Sequence, residues 1–201
     1  MKRLVTLALA AGFAAATAHT AAPGSTPPAA MPGMKMAPAH LIVGGRYSDV
    51  RFIDMTVPHH LMAIAMAKVE LRLGTKAPLQ RMAREMITEQ QKEISELRAM
   101  RKQLTGSSAT ATRMNPHTMA ETGMPSPAKL AREKPTDLAF IDAMVPHHSS
   151  LIPLANIVLR RSSDTALKQM ARKMMDSQAG QVAEMIKMRE EWYGALQSAQ
   201  P

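Results

Sequence analysis

The stretch FIDMTVPHH at residues 52–60 returns as FIDAMVPHH at residues 140–148. Both copies belong to a longer internal repeat, because residues 49–101 align with residues 137–189 at a constant offset of 88, without a gap and with 21 identities in 53 positions. Such a repeat is one supersecondary unit used twice, so we expect both halves of the chain to adopt the same local structure.

Each repeat predicts a hairpin of two helices. Candidate N-caps stand at Ser48-Asp49 and Thr136-Asp137, and breaks follow at Gly74-Thr75 and Ser162-Ser163. Residues at helical spacing form the inward face of the first helix: Phe52, Met55, His59, Met62, Met66 and Leu73. The second helix and its twin carry corresponding stripes: Leu79, Met82, Met86, Gln90, Glu93, Leu97, Met100 and Leu104, and then Leu167, Met170, Met174, Gln178, Gln181, Met185 and Met188.

One such hairpin leaves its apolar stripe uncovered, whereas two hairpins can bury their stripes against each other. The sequence therefore predicts an all-α fold, a four-helix bundle made of two repeated helical hairpins, with no β-sheet. The segments between and before the hairpins are rich in Ala, Pro, Gly and Met and are predicted to be disordered. The predicted organisation is a signal peptide, a Met/Pro-rich arm, a first hairpin, a flexible linker, a second hairpin and a tail, at residues 1–18, 19–45, 46–104, 105–135, 136–194 and 195–201.

The first 18 residues predict export from a bacterial cytoplasm. Lys2 and Arg3 precede an apolar run, and Ala16-Thr17-Ala18 has the small-x-small pattern of a signal-peptidase site. This pattern indicates a periplasmic or secreted protein, with a retained membrane anchor as the alternative. No later segment has the ~18 consecutive apolar residues of a spanning helix, so we expect no stable membrane insertion of the mature chain.

The composition narrows the class of partner. The formal charge is +9, but the basic residues are scattered among Glu and Gln on predicted helices, which indicates solvated faces. An exported protein is also not expected to bind nucleic acid. The chain has no cysteine and 19 methionines, so a thiolate metal site is excluded and the thioethers are expected to have a use beyond core packing.

The Pro-His-His motifs carry the main candidates for chemistry. Pro58 and Pro146 fall inside predicted helices, where a proline costs ~3 kcal/mol; the alternative is that each proline begins a helix after a separate turn. Adjacent helical residues point in different directions, so the first histidine of His59-His60 and of His147-His148 is predicted to face inward and the second sideways. A lone core histidine is usually only hydrogen-bonded, but two equivalent pairs predict a metal site.

The softness of the thioether and imidazole donors predicts copper as the metal. Thioether sulfur binds Cu(I), imidazole binds Cu(I), Cu(II), Zn and Ni, and carboxylates favour harder ions. Histidine and methionine without cysteine thus predict copper, with Cu(I) preferred over Cu(II), and Asp54 and Asp142 are the expected hydrogen-bond partners of the ligand histidines. For Met100 and Met188 we predict core packing, which is also the alternative for the other methionines. The predicted ligands in the bundle are His59, His60, Met62, Met66, Met82, Met86, His147, His148, Met170 and Met174.

Two segments outside the predicted helices repeat the same donor types. Methionines spaced by one or two residues in a disordered segment bury nothing, so these segments predict mobile copper-capture arms. The predicted arm ligands are Met31, Met34, Met36 and His40 before the first hairpin, and Met114, His117 and Met119 in the linker.

These motifs resemble those of a bacterial family, the domain-of-unknown-function family 305, which is described as ferritin-like and includes periplasmic copper-binding proteins of the CopM type. The resemblance rests on Phe-Ile-Asp-x-x-Val-Pro-His-His, on the Ala-Ile-Ala-Met-Ala at residues 63–67, and on Gln90-x-x-Glu93-Ile94. It implies a helical bundle and, for some members, copper binding or tolerance. The second repeat departs from the pattern, because Pro153, Leu154 and Gln181 replace Ala65, Met66 and Glu93, so we expect any site there to be weaker or different.

The expected function is copper sequestration, delivery or tolerance in the periplasm, without catalysis, with copper ions as the partner and another periplasmic copper protein as a candidate recipient. One alternative is a copper-dependent oxidase that turns Cu(I) into Cu(II), which turnover of Cu(I) under oxygen would reveal. The other is a structural or interaction bundle whose core histidines bind no metal.

Overall fold

The computed structural model describes residues 41–114, 119 and 124–194. Within the hairpins the first helix packs on the second, and the two hairpins meet mainly through their first helices. This arrangement is the predicted four-helix bundle of two repeated hairpins. The predicted signal peptide, residues 19–40 of the predicted arm, and the predicted tail lie outside the described residues. The elements in chain order are β1 (Ile42–Val43), β2 (Arg46–Tyr47), α1 (Asp49–Leu73), α2 (Ala77–Thr105), α3 (Pro127–Leu130), α4 (Thr136–Arg161) and α5 (Thr165–Tyr193).

A small antiparallel hairpin precedes the bundle, so the prediction of no β-sheet is wrong at this one place. Ile42 pairs with Tyr47 in β1 and β2, and the turn between them uses Gly44 and Gly45 at φ 57° and 75°, a region that glycine adopts without strain. Strands of two residues are too short to give an alternating pattern in the sequence. Leu41 is fully buried, so the folded part of the chain begins before the predicted boundary at residue 46.

The helix ends follow the predicted breaks with one correction. Ser48 caps α1 by accepting a hydrogen bond from the Arg51 backbone N–H, but the N-cap of α4 is Pro135 rather than Thr136 or Asp137. α1 ends with Gly74 as its C-cap, whose backbone N–H donates to the Glu70 carbonyl oxygen, and a Cβ at Gly74 would collide with the Glu70 carboxyl. Both motif prolines lie inside continuous helices, as predicted, and not at the start of a helix.

The core consists of two apolar clusters, one toward each end of the bundle. The first cluster lies at the start of α1 and α5 and the end of α2 and α4, and includes Phe52, Ile53, Val57, Leu97, Leu151, Leu154, Leu167, Met170 and Met174. The second cluster lies at the opposite helix ends and includes Met66, Leu79, Met82, Met86, Phe140, Ile141, Met144, Met185 and Met188. On all four helices, polar residues occupy the positions between the two clusters.

Several apolar side chains in the described part of the predicted linker pack on the bundle, so the prediction of a disordered segment fails at those positions. Met114 and Met124 are buried in the first cluster, and Met119 packs against it. Leu130 of α3 is fully buried in the second cluster. Composition predicted disorder at these positions because Pro and Gly are frequent. The isolated apolar side chains nevertheless pack against the two clusters of the bundle.

Candidate metal centre

A layer of polar side chains crosses the bundle between the two apolar clusters. All seven are between 0 and 3% exposed, which is unusual for residues of these types unless they are paired or bind a ligand. We call this set the polar layer: His59, His60, Gln90, Glu93, His147, His148 and Gln178. The histidines predicted to point sideways are thus as buried as the inward ones, because they face the neighbouring helices of their own hairpins.

The two hairpins meet at equivalent histidines in the middle of this layer. The rings of His59 and His147 stack with their centroids 3.6 Å apart and their planes 30° apart. The Ser150 hydroxyl donates to the His147 carbonyl at 2.7 Å, so its oxygen is free to accept. His59 Nε2 lies 3.1 Å from both that carbonyl oxygen and the Ser150 Oγ. This network makes Nε2 the protonated nitrogen of His59 and leaves Nδ1 with a free lone pair.

His60 and His148 have equivalent but chemically different partners. His60 Nε2 lies 2.9 Å from the Glu93 carboxylate, whereas His148 Nε2 lies 2.7 Å from the Gln181 amide oxygen. Gln181 in turn donates to Glu89, at 3.2 Å. Both partners accept from Nε2–H, and Nδ1 of each ring has no hydrogen-bond partner.

Several buried polar atoms of the layer have no hydrogen-bond partner. The Nδ1 atoms of all four histidines are in this state, as are His147 Nε2 and Glu93 Oε1. The side chains of Gln90 and Gln178 also have unpartnered atoms. Each such atom costs about 1–3 kcal/mol, so its recurrence at the same nitrogen of four rings favours a bound ligand over packing alone.

Burial keeps three of these histidines neutral. It lowers the pKa of His59 and His147 well below the usual 6.5, and neighbouring histidines lower both further. Burial also lowers the pKa of His148 to about 4 against the opposing effect of its hydrogen bond to Gln181. A neutral imidazole is the form that binds a metal ion, so these rings are ready ligands at physiological pH.

The predicted methionine ligands are divided between the two apolar clusters that flank the polar layer. Met66, Met82 and Met86 belong to the second cluster, whereas Met170 and Met174 belong to the first. Met62 is half-buried and packs against both clusters. Met144, which the sequence pattern did not single out, is fully buried in the second cluster.

Every methionine of the described residues is in a cluster or packed against one. Met100 and Met188 are among them, as predicted. For Met114 and Met119, this packing contradicts the predicted mobility, because both contact the first cluster, while their binding of copper stays a prediction. Met31, Met34, Met36, His40 and His117 lie outside the described residues.

The predicted hydrogen-bond partners of the histidines are wrong. Asp54 Oδ1 accepts from Arg101 Nε at 2.7 Å, and Asp142 Oδ1 accepts from Arg189 Nε at 2.6 Å. These pairs lie on the partly exposed side of the bundle, away from the rings. Glu93 and Gln181 take the role instead. Their signal in the sequence was a polar residue at an inward position of an apolar stripe.

In the described part of the chain, no three His, Asp or Glu side chains converge as a ready-made metal site. Completing a metal site in the polar layer would take further donors, and the thioether sulfurs of the adjoining clusters are one such source. Two-coordinate and three-coordinate sites with nitrogen and sulfur ligands suit a soft ion better than a hard one.

The family model described as a domain of unknown function, DUF305, matches the chain over residues 2–101, 49–136 and 137–201. Among solved structures, the chain is similar to CopM in its Cu(II)-bound form, with 26% identity, a TM-score of 0.68, and coverage of 74% of this chain and 99% of that one. The Cu(I)-bound form of CopM matches at 25% identity and a TM-score of 0.63, with 74% and 100% coverage.

A DUF305 fragment from Deinococcus radiodurans shares the fold at 19% identity and a TM-score of 0.63, over 71% of this chain and 95% of that one. No curated protein matches the sequence. Among the described helices, none has both the length and the apolar character needed to cross a membrane.

Proposed function

Because the chain belongs to the DUF305 family, and because its fold matches copper-bound CopM, we propose that it binds copper ions at the polar layer of its bundle. The observation that carries this proposal is the set of four buried histidines whose Nδ1 atoms have no hydrogen-bond partner. In this proposal, those nitrogens are the primary ligands, and methionine sulfurs from the adjoining clusters complete the coordination.

The ligand types favour Cu(I) over Cu(II) and over zinc. The clusters next to the layer supply thioethers such as Met66, Met86 and Met174, all fully buried. Thioether sulfur is soft and prefers Cu(I) or Ag(I), whereas zinc sites in proteins use thiolate, imidazole and carboxylate. The chain has no cysteine, so the soft ligands can come only from methionine.

We assign the protein to copper sequestration, delivery or tolerance in the periplasm, without catalysis. The export pattern of residues 1–18 supports the compartment. A polar layer between two apolar clusters supports storage or transfer of an ion. Another periplasmic copper protein is the expected recipient.

A competition titration tests the proposal. The full mature chain is titrated against a Cu(I) chelator under reducing conditions, and in parallel against a zinc chelator. We expect Cu(I) to bind more tightly than Zn(II). Tighter binding of zinc would refute the methionine ligands, binding of neither metal would favour a purely structural bundle, and turnover of Cu(I) under oxygen would favour an oxidase.

A further inference from the structure

The two halves of the polar layer share one geometry but differ in charge. Glu93 follows His60 by 33 residues, and Gln181 follows His148 by the same interval. Each partner accepts a hydrogen bond from Nε2, at 2.9 Å and 2.7 Å respectively. The chain thus allows a direct comparison of two equivalent imidazoles, one hydrogen-bonded to a carboxylate and the other to an amide.

The carboxylate of the first half is buried without full compensation. Glu93 is 3% exposed, and its Oε1 atom has no hydrogen-bond partner. A buried carboxylate oxygen without a partner favours a positively charged group or ion beside it. In the second half, Gln181 is neutral, and the carboxylate of Glu89 is one hydrogen bond further from the ring and already accepts from Ser177 at 2.7 Å.

We propose that Glu93 is a positioning and specificity residue that makes the His60 half of the layer favour Cu(II), while Gln181 leaves the His148 half to Cu(I). This inference rests on the proposed copper function. A carboxylate behind a metal-binding imidazole raises the basicity of the ring and offsets the second positive charge of Cu(II). An amide fixes the same ring orientation but offsets no charge, so the His148 half gains nothing in binding the doubly charged ion.

Glu93→Gln is the direct test, since the change removes the charge and keeps the shape. Affinities for Cu(II) and Cu(I) are measured separately on the full mature chain, with a chelator suited to each ion. We expect the Cu(II) affinity of the tightest site to fall about 10- to 100-fold, with a much smaller change for Cu(I). If the Cu(II) affinity falls tenfold and the Cu(I) affinity stays the same, the reduction potential of the bound copper rises by about 59 mV.

Two further variants make the test specific. Glu96→Gln removes an exposed carboxylate that pairs with Lys92 on the same helix, and it should leave both affinities unchanged. Gln181→Glu combined with Glu89→Gln moves a carboxylate behind His148 without adding charge, and it should raise the Cu(II) affinity of the second half. If Glu93→Gln does not fold, this variant still tests the inference.

Equal losses of Cu(I) and Cu(II) affinity in Glu93→Gln would overturn the inference and leave Glu93 a structural residue. An unchanged ratio in the Gln181→Glu, Glu89→Gln variant would overturn it as well. If the wild-type chain bound neither ion, the proposed function itself would fail, and that outcome differs from the others because it appears before any substitution.

Discussion

His59 and His147 occupy equivalent positions of the two repeats, and their rings stack at 3.6 Å between centroids. The two hairpins therefore meet at a pseudo-twofold axis that passes between these rings. A substitution at either histidine removes a stacking partner from the other, so these two positions cannot report on one half alone. His60 and His148 have different hydrogen-bond partners, each on its own hairpin, so substitutions at these positions separate the two halves better.

Replacing His60 should destabilise the metal-free bundle more than replacing His148. His60→Ala leaves the Glu93 carboxylate buried and unpaired, whereas His148→Ala leaves a neutral amide. We expect the free energy of unfolding to fall by about 1–2 kcal/mol more in the first variant. Urea denaturation of both measures it, and Glu93→Gln added to His60→Ala should restore part of the loss. Equal losses from the two single variants would contradict the larger cost predicted for leaving Glu93 without its partner.

Met66 should matter for copper more than for folding. The second repeat has Leu154 at the equivalent position, fully buried in its own cluster, so Met66→Leu should change the free energy of unfolding by less than about 1.5 kcal/mol. Loss of a thioether beside the polar layer should lower the Cu(I) affinity by about tenfold, in the range for loss of one supporting interaction.

The matched control is Met188→Leu, in the same cluster but at the far end of α5 from the layer. It should leave the Cu(I) affinity unchanged. If both leucine variants bound Cu(I) like the wild type, the methionines of the second cluster would be packing residues only.

Glu70 should make the bundle less stable as the pH rises. Burial, and then the neighbouring Asp137 carboxylate, raises the pKa of Glu70 from 4.5 to about 8. Asp137 cannot move away, because it accepts hydrogen bonds from the backbone N–H groups of Thr75 and Lys76 at the start of α2. Between pH 4.5 and 8 the folded chain holds a proton that the unfolded chain releases, so the free energy of unfolding falls through this window.

Glu70→Gln removes this titration and keeps the size of the side chain. We expect the variant to be more stable than the wild type by about 1–3 kcal/mol at pH 8, with the difference vanishing toward pH 4.5. Thermal melts across that range give the comparison, and the exposed Glu96→Gln is the control. A difference that is constant with pH would contradict a protonated Glu70.

The Met/Pro-rich segment before the bundle should add copper capacity without stability. Deleting residues 19–40 should lower the number of copper ions bound per chain, because Met31, Met34, Met36 and His40 are lost. The melting temperature of the metal-free protein should hardly change, since the segment has no periodic apolar face. By contrast, Leu41→Ala should cost about 2–5 kcal/mol, because Leu41 is fully buried. Unchanged copper stoichiometry after the deletion would show that residues 19–40 bind no copper.

Spacing within one repeat predicted the four helices and their breaks because local apolar periodicity determines which face is buried. The partners of the histidines could not be predicted in the same way. Asp54 is close to the motif in sequence, but it turns outward to Arg101, whereas Glu93 reaches His60 only when α2 packs on α1. That contact depends on the register between helices, and the sequence pattern does not specify it.

For the methionines, the sequence predicted a chemical role but not where each side chain packs. Their number predicted a chemical use, but Met114 and Met119 pack on the first cluster, where composition alone had predicted a disordered arm. The polar layer was present in the sequence as Gln90 and Gln178 at inward positions. That these residues form one layer becomes apparent only when the four helices pack and bring the equivalent positions to the same level of the bundle.

Ligation by the buried histidines is the central claim, and NMR of the imidazole nitrogens during a titration with Ag(I), a diamagnetic substitute for Cu(I), tests it most directly. The full mature chain is used, with His59, His60, His147 and His148 assigned by single substitutions. We predict that the Nδ1 signals of these rings shift with the first additions of Ag(I), while the Nε2 signals of His59, His60 and His148 keep the pattern of a protonated donor. If Ag(I) saturated the protein while all four Nδ1 signals stayed unchanged, the polar layer would not be the metal centre.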